Sequence, residues 1–187
     1  MKAVVIATGP SLKEDQVKHT IGRVDLTIAV NDAIFLVPWA DILYSGDNRW
    51  WNYHGPYLEW FQGERLCAAR DNEYSTKIEG IGGLGPYEKE HIRFGNNSGF
   101  AAVNVALNRG ASTIYLLGYD MGTAAGQQRH YFGDHPSDIN IASPYESFRK
   151  QFDIAAPSLK SFGAEVINCT EGGFLECFPK AKITEVL

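Results

Sequence analysis

Two histidines and two aspartates lie close together between positions 130 and 138. His130, Asp134, His135 and Asp138 stand in a stretch that glycine and proline interrupt, and it is too polar for a buried core. A histidine with an ordinary pKa of about 6.5 can take a proton from a hydroxyl group at neutral pH, so either imidazole could act as a general base. The same residues could instead hold a metal ion or form a solvated loop, and the sequence leaves these three interpretations open.

A second set of polar residues follows the apolar segments of the chain. These short loops are Thr8-Gly9-Pro10-Ser11, Asn31-Asp32, Ser45 to Asn48, Asn96 to Gly99, Gly118 to Asp120 and Asn168 to Glu171. If the apolar segments are parallel strands, the loops share the carboxyl edge of one sheet, where α/β proteins bind ligands and helix N-termini present free N–H groups. Small side chains and amides there favour a phosphate or ribose site, although neither a GxGxxG nor a GxxxxGK[ST] motif is present.

Two carboxylates and a group of aromatic residues are further candidates for functional roles. Asp47 and Asp120 could each cap a helix, hold a metal ion or accept a hydrogen bond from a ribose hydroxyl. Trp50, Tyr53 or His54, Tyr57 and Trp60 recur at helical spacing, which predicts a buried helix face. Trp51 lies off that face and could stack on a base or an acceptor ring, with Arg49 beside it meeting a phosphate.

Continuous runs of β-branched and other apolar residues predict strands that are buried on both faces of a sheet. They are Lys2 to Thr8, Asp25 to Val30, Ala40 to Ser45, Ser112 to Leu117 and Ala164 to Asn168. Segments with helical spacing lie between them, for example Phe100, Val103 and Leu107. This alternation predicts an α/β fold, a Rossmann-like three-layer sandwich with a mostly parallel central sheet.

Capping residues predict where the helices begin. Ser11 with Glu14, and Ser143 with Glu146, have the spacing of a capping box, so each pair is expected to open a helix. Residues 65–93 contain many glycines and are predicted only as irregular or β structure.

Length and composition indicate one globular domain. The chain has 187 residues, of which 44% are hydrophobic and 21% charged. These values suit a single unit over residues 1–187, with an irregular, lid-like loop at about 121–142. The net charge of −5 gives no general attraction to nucleic acid or anionic membranes. Three cysteines without a CxxC pair and the lack of a long apolar run predict a cytoplasmic protein without membrane insertion, and leave a homo-oligomer open.

Several loops carry short motifs in a fixed order. They are Gly9-Pro10-Ser11 after the first strand, Asn31 after the second, Ser98-Gly99 before an alanine-rich helix, Ile114 to Asp120 with its Gly-x-Asp ending, His130 to His135, and Thr170 to Gly173. This series resembles glycosyltransferase family 42, the CMP-sialic-acid-dependent sialyltransferases, and the related DUF115 group of motility accessory factors and 6-hydroxymethylpterin diphosphokinase. The segments Pro38 to Asp41 and Asp47 to Trp51 are most similar to small phage-encoded members of this superfamily.

The resemblance implies a transferase with a nucleotide-activated donor, an inverting glycosyltransferase of the CMP-sugar type that acts on an acceptor hydroxyl. Its catalytic histidine corresponds to His135, with His130 as the second choice, and Tyr131 is the candidate for a tyrosine that holds the phosphate. The nucleotide would contact Thr8, Gly9, Pro10, Ser11, Asn31, Asp47, Asn97, Ser98, Gly99 and Asp120. This chemistry requires no metal or other cofactor, and its acceptor, such as a glycan or a modified nucleic-acid base, is not assigned.

Two other functions remain open at this point. Pyrophosphoryl transfer of the 6-hydroxymethylpterin diphosphokinase type would need Mg²⁺ held by carboxylates such as Asp47 or Asp120. The domain could also bind a nucleotide without turnover, with the histidine-containing loop as a surface lid. Dependence on a metal separates the first of these functions from glycosyl transfer.

Overall fold

The computed structural model describes residues 1–68, 72–123, 130–133 and 143–187. Its strands are β1 (Lys2–Ile6), β2 (Leu26–Val30), β3 (Ile42–Tyr44), β4 (Glu64–Cys67), β5 (Thr76–Lys77), β6 (Gly80–Ile81), β7 (Ile92–Arg93), β8 (Thr113–Leu117) and β9 (Glu165–Asn168). Seven of them form one sheet in the order β5-β4-β3-β2-β1-β8-β9, and their pairings are parallel. The predicted α/β, Rossmann-like sandwich with a mostly parallel central sheet is confirmed.

Helices cover both faces of this sheet. They are α1 (Glu14–His19), α2 (Asn48–His54), α3 (Ser98–Asn108), α4 (Tyr145–Ala155), α5 (Leu159–Phe162) and α6 (Ile183–Val186), with 3₁₀ turns at Asn31–Phe35, Gly55–Tyr57 and Ala156–Ser158. Helices α3 and α4 pack on one face, and α1, α2 and α6 pack on the other. In the described ranges, no helix has both the length and the apolar character that crossing a bilayer demands.

The apolar strand runs have a direct structural explanation in β1. Ala3 and Val5 belong to the core on the α3 side, whereas Val4 and Ile6 belong to the core on the α1 side. All four side chains are fully buried, and burying one Val or Ile side chain contributes about 1.5–3 kcal/mol. Because neither face of the strand meets water, the sequence shows no alternation.

The strand order reverses between β1 and β8. Strands β2 to β5 lie on one side of β1, and β8 and β9 lie on the other. In open parallel sheets, ligands bind beyond the carboxyl ends of the strands at such a reversal. The loops after β1 and β8 therefore occupy the position that this rule selects.

The structure corrects the predicted start of the first helix. Helix α1 begins at Glu14, and its N-cap is Lys13. The Lys13 N–H donates to Gln16 Oε1 at 3.2 Å, so Gln16 takes the part that Glu14 was predicted to play. Ser11 does not cap the helix because its hydroxyl and its N–H are both bonded to Asp120.

The second capping prediction is wrong as well. Helix α4 follows Pro144 as its N-cap, and no side chain caps it. The Ser143 carbonyl accepts the Tyr145 N–H at 2.9 Å. The backbone turn around Pro144 thus replaces the predicted hydroxyl cap.

The predicted aromatic face is only partly buried. Trp50 is buried, and its indole N–H donates to Asp32 Oδ1 at 2.6 Å. Tyr53, Tyr57 and Trp60 are exposed, with Tyr57 73% accessible. The reason is that α2 ends at His54 and a 3₁₀ turn follows, so a single helical spacing does not extend across Pro56.

Candidate functional site

A cavity of about 950 Å³ lies beyond the carboxyl ends of β1, β2, β3 and β8. We call it the main cavity. Every residue predicted to contact a nucleotide lines it except Ser11, namely Thr8, Gly9, Pro10, Asn31, Asp47, Asn97, Ser98, Gly99 and Asp120. Its volume is at the upper end of the range of about 300–1,000 Å³ that is usual for small-molecule sites. These residues come from positions more than a hundred apart in the chain, and the parallel sheet brings them to one edge.

Close backbone contact forms the floor of the main cavity. The Gly9 N–H donates to the Gly118 carbonyl at 2.9 Å. A Cβ atom on Gly9 would lie 1.9 Å from Asp120 Oδ2 and 2.5 Å from the Gly118 oxygen. Gly118 has φ of 70° and would itself place a Cβ 2.5 Å from the Ala7 oxygen. Both positions therefore require glycine.

Asp120 is the buried carboxylate at this floor. Ser11 donates to it twice, from N–H to Oδ1 at 3.2 Å and from Oγ to Oδ2 at 2.9 Å. Burial raises the pKa of Asp120, and the two hydrogen bonds from Ser11 lower it. Of the roles open to Asp120 in the sequence, capping a described helix is excluded because its oxygens bond to the loop after β1.

Residues in the left-handed backbone region line the main cavity. In the described ranges, the non-glycine residues with positive φ are Asn31, Asn96 and Met121, with φ of 52°, 53° and 50°. Asparagine tolerates this conformation, but methionine pays on the order of 1–2 kcal/mol for it. Residues held in such strained conformations cluster at functional sites, and they persist only where the surrounding structure enforces the conformation. The Arg149 guanidinium, which donates to the Met121 carbonyl at 2.8 Å, is one such support.

Asn31 presents an unsatisfied amide oxygen. Its Oδ1 is buried and has no hydrogen-bond partner in the part of the chain that the structure describes. An unpaired buried acceptor costs about 1–3 kcal/mol. Asn31 lines the main cavity, and a ligand N–H or O–H group that reached this oxygen would recover the free energy.

The N-terminus of α3 faces the main cavity. Asn97 caps the helix, with its side-chain oxygen accepting the Phe100 N–H at 2.8 Å. The N–H groups of Ser98 and Gly99 precede the first intrahelical bond and have no helical acceptor. The Ser98 hydroxyl accepts the Gly46 N–H at 3.0 Å, which fixes the loop after β3 beside the start of α3. Free N–H groups at a helix N-terminus attract anions.

Asp47 and Arg49 form an ion pair at another wall of the main cavity. Asp47 is the N-cap of α2 and accepts the Arg49 N–H at 2.8 Å. The Arg49 guanidinium donates to Asp47 Oδ1 at 3.2 Å and to Oδ2 at 2.8 Å. The structure thus assigns Asp47 a capping role. Among the described residues, Arg49 is the one lysine or arginine that lines the cavity.

His130 lies at the main cavity, next to the loop after β1. Its Nδ1 is 3.2 Å from the Thr8 hydroxyl oxygen. With Nδ1–H donating to Thr8, Nε2 would be the basic nitrogen, and the other tautomer would reverse these roles. His135, the first choice for the base, lies outside the described residues, as do Asp134 and Asp138. Much of the predicted lid-like loop is also outside them, so its role stays a prediction.

Tyr131 points away from the main cavity. Its N–H donates to the Thr8 carbonyl at 2.8 Å, and its ring packs against the core on the α1 side. Trp51 is fully buried, and its indole N–H donates to the Ser45 carbonyl at 3.1 Å. The suggestion that Trp51 stacks on a ligand is therefore wrong, because the sheet and α2 enclose its ring.

A smaller pocket of about 200 Å³ adjoins the main cavity. We call it the side pocket; Pro10, Ser11, Asp120, Glu171, Gly172 and Gly173 line it. Pro10 and Asp120 border both spaces, so Ser11 lies behind the wall rather than in the main cavity. Glu171 also bonds to Lys13 and Gln16, which connects the loop after β9 to the start of α1.

Several lining residues were missed by sequence reasoning. Tyr44 ends a strand, and its side chain reaches the main cavity although it reads as a core residue. Met121 follows the predicted site residue Asp120, but its left-handed backbone leaves no mark in the sequence. Tyr145 and Phe148 reach the cavity because α4 begins beside it.

The described side chains contain no cluster of three His, Cys, Asp or Glu residues that could hold a metal ion. Comparison of the chain with protein-family models, with curated proteins and with solved structures finds no match. The geometry of the site and the motifs in the sequence therefore carry the functional proposal.

Proposed function

We propose that the protein is a transferase that binds a nucleotide-activated donor in the main cavity, of the inverting glycosyltransferase type. The observation that carries this proposal is the convergence of the predicted nucleotide residues on one cavity at the reversal of strand order. The cavity is large enough for a nucleotide with a sugar. Resemblance to glycosyltransferase family 42 and the DUF115 group, carried by Gly9-Pro10-Ser11 and Ser98-Gly99, specifies the donor class.

The polar groups of the cavity suit the parts of such a donor. The Ser98 and Gly99 N–H groups and the Arg49 guanidinium can meet a phosphate. The Asp120 carboxylate and the Asn31 amide oxygen can accept hydrogen bonds from hydroxyl or amino groups. Because Gly9 has no side chain, the Asp120 carboxylate can lie against the main chain there, at the floor of the cavity.

The transfer step is a single displacement. The acceptor hydroxyl oxygen attacks the anomeric carbon while its proton passes to a histidine, and the bond from that carbon to the phosphate oxygen breaks. The leaving phosphate keeps the electron pair, and helix N–H groups stabilise its charge. The sugar carbon is inverted, and no covalent intermediate forms. His135 is proposed as the base, with His130 as its alternative because it lies at the cavity beside Thr8.

Two measurements test this proposal. Thermal shifts with CMP, UDP, GDP and ADP derivatives should show selective stabilisation by one base, since ligand binding stabilises the folded state by mass action. Donor turnover, followed as release of the free nucleotide, should survive EDTA. Loss of turnover with EDTA and its recovery with Mg²⁺ would favour pyrophosphoryl transfer, and selective binding without turnover would leave a nucleotide-binding module.

A further inference from the structure

Tyr44 carries an unpaired hydroxyl at the main cavity. Its side chain is only 1% exposed, yet it lines this cavity. The hydroxyl makes no hydrogen bond to any residue in the described ranges. The hydroxyl oxygen is not among the fully buried unpaired atoms of the described residues, so the small exposed part of this side chain includes the hydroxyl, which a ligand in the main cavity can reach.

The Tyr44 hydroxyl lies near the start of α3. A point at the Cβ position of Gly46 would lie 3.8 Å from this hydroxyl and 3.3 Å from the Ser98 hydroxyl. Both groups therefore flank Gly46, whose N–H is bonded to Ser98. The free N–H groups of Ser98 and Gly99 belong to the same wall. Helix α3 has eleven residues, so its N-terminus carries the full partial positive charge of a helix.

We infer that Tyr44, together with the N-terminus of α3, forms the subsite that receives the phosphate of the nucleotide. This inference rests on the proposed function and deepens it, because it places the phosphate at the β3–α3 corner of the main cavity. The nucleoside then extends toward Asn31 and Asp120, which supply acceptors for its hydroxyl and amino groups.

The chemistry of Tyr44 suits a phosphate. Burial and the nearby Cys67 raise the pKa of Tyr44, so the hydroxyl keeps its proton at neutral and mildly alkaline pH. It can therefore donate to a phosphate oxygen, and the bond to a charged acceptor is stronger than one between neutral groups. The next carboxylate after Tyr44 in the sequence belongs to Asp47. It is already paired with Arg49, so its negative charge is offset beside the phosphate.

Tyr44→Phe removes this hydroxyl and keeps the ring. Affinities of CMP, cytidine and inorganic pyrophosphate are measured by calorimetry for the wild type, Tyr44→Phe and the control Tyr115→Phe. The control removes a hydroxyl that donates to the Val186 carbonyl, away from the cavity. Tyr44→Phe should weaken CMP and pyrophosphate about 10- to 100-fold and change cytidine affinity less than about twofold. Tyr115→Phe should leave all three affinities unchanged.

Thermal unfolding separates a ligand role from a structural one. Tyr44→Phe should keep or raise Tm, because no hydrogen bond is lost, whereas Tyr115→Phe should lower it. Equal CMP affinity in the wild type and Tyr44→Phe overturns the inference, as does an equal loss of CMP and cytidine affinity or a lowered Tm for Tyr44→Phe. Pyrophosphate binding that depends on Tyr44 without any nucleotide binding would support the subsite and refute the proposed function. If neither CMP nor pyrophosphate binds the wild type, the subsite is refuted as well.

Discussion

Ser11 and Asp120 join the loops after β1 and β8 through two hydrogen bonds, of 3.2 and 2.9 Å, across the reversal of strand order. They are 109 positions apart in the chain. Asp120 is held from Oδ1 and from Oδ2, so its carboxylate has one fixed orientation at the floor of the main cavity. This contact organises the edge where the proposed ligand binds.

Ser11→Ala tests the energetic importance of that contact. The variant loses a hydrogen bond to an ionised carboxylate, so the free energy of unfolding at neutral pH should fall by about 1–3 kcal/mol. The Ser11 hydroxyl lowers the pKa of Asp120, and its removal should raise that pKa further. Because the lost bond favours the charged form, the destabilisation should shrink as the pH falls and Asp120 becomes protonated. Chemical denaturation at several pH values measures it.

Ser161→Ala is the matched control for this experiment. Its hydroxyl donates to the neutral Ser158 carbonyl at 2.7 Å, so any loss of stability should not depend on pH in the acid range. A pH-independent loss for Ser11→Ala would contradict the role assigned to the Asp120 charge.

Gly9→Ala should damage both the fold and the site. The added methyl would overlap Asp120 Oδ2 at 1.9 Å and the Gly118 oxygen at 2.5 Å, so the loop must shift at a cost of about 1–3 kcal/mol. Nucleotide binding should be lost with it, since the floor of the cavity moves. Gly82→Ala is the control, because nothing lies within 4 Å of its added methyl. Equal Tm values for Gly9→Ala and the wild type would contradict the close approach of Gly9 to Asp120 and to the Gly118 carbonyl.

The sheet could be predicted from the sequence because its central strands are buried on both faces. In a run such as Val4-Val5-Ile6, successive side chains point to opposite faces and all are apolar, so both faces of the strand must be buried. The polar residues that follow these strands then lie together at one edge, because the carboxyl ends of parallel strands meet at the same edge of the sheet. For this reason the lining of the main cavity was largely predictable, including Asn97 at the start of α3.

The contacts within that edge could not be predicted. The sequence predicts Ser11 as a helix cap, but its hydroxyl bonds to the distant Asp120, and the N-cap lies two residues later, at Lys13. By its spacing Trp51 lies off the predicted aromatic face, so the sequence leaves its ring available for stacking, but the sheet beneath α2 encloses the ring. Tyr44 reads as core, and only the structure shows that its hydroxyl reaches the cavity.

Arg49 should contribute to phosphate affinity. Arg49→Gln removes the one described lysine or arginine of the cavity wall, so affinity for CMP should fall about tenfold at low salt and less at high salt. The free energy of unfolding should change little, because exposed ion pairs contribute little to stability. Titration calorimetry at two salt concentrations measures the affinities.

Arg109→Gln serves as the control for Arg49. It breaks a comparable exposed ion pair with Glu64, at 2.7 Å, in a different part of the surface. If the two variants bind CMP equally well, Arg49 has no part in phosphate binding.

The histidine assignment makes a kinetic prediction. His135→Ala should lower donor turnover by about 10²–10⁴ while nucleotide affinity stays nearly unchanged, because a general base acts chiefly in the transition state. In the wild type, the logarithm of the rate should fall as the pH drops through the histidine range, and the variant should lose this dependence. Turnover with water as the acceptor allows the measurement before the natural acceptor is identified.

His130→Ala completes that comparison. His130 contacts Thr8 at the main cavity, so it is the alternative base if His135→Ala keeps its activity. Full turnover and an unchanged pH profile in both variants would rule out either histidine as the base and leave the loop without a catalytic role.

The proposed function depends most directly on where a nucleotide binds. Crystals of the protein soaked with CMP, and in parallel with UMP, AMP and GMP, would show this. We expect one nucleotide to occupy the main cavity, with its phosphate against Ser98 and Gly99 and its nucleoside toward Asn31 and Asp120. A nucleotide found only at the opposite edge of the sheet, or no bound nucleotide with any of the four, would contradict the central claim.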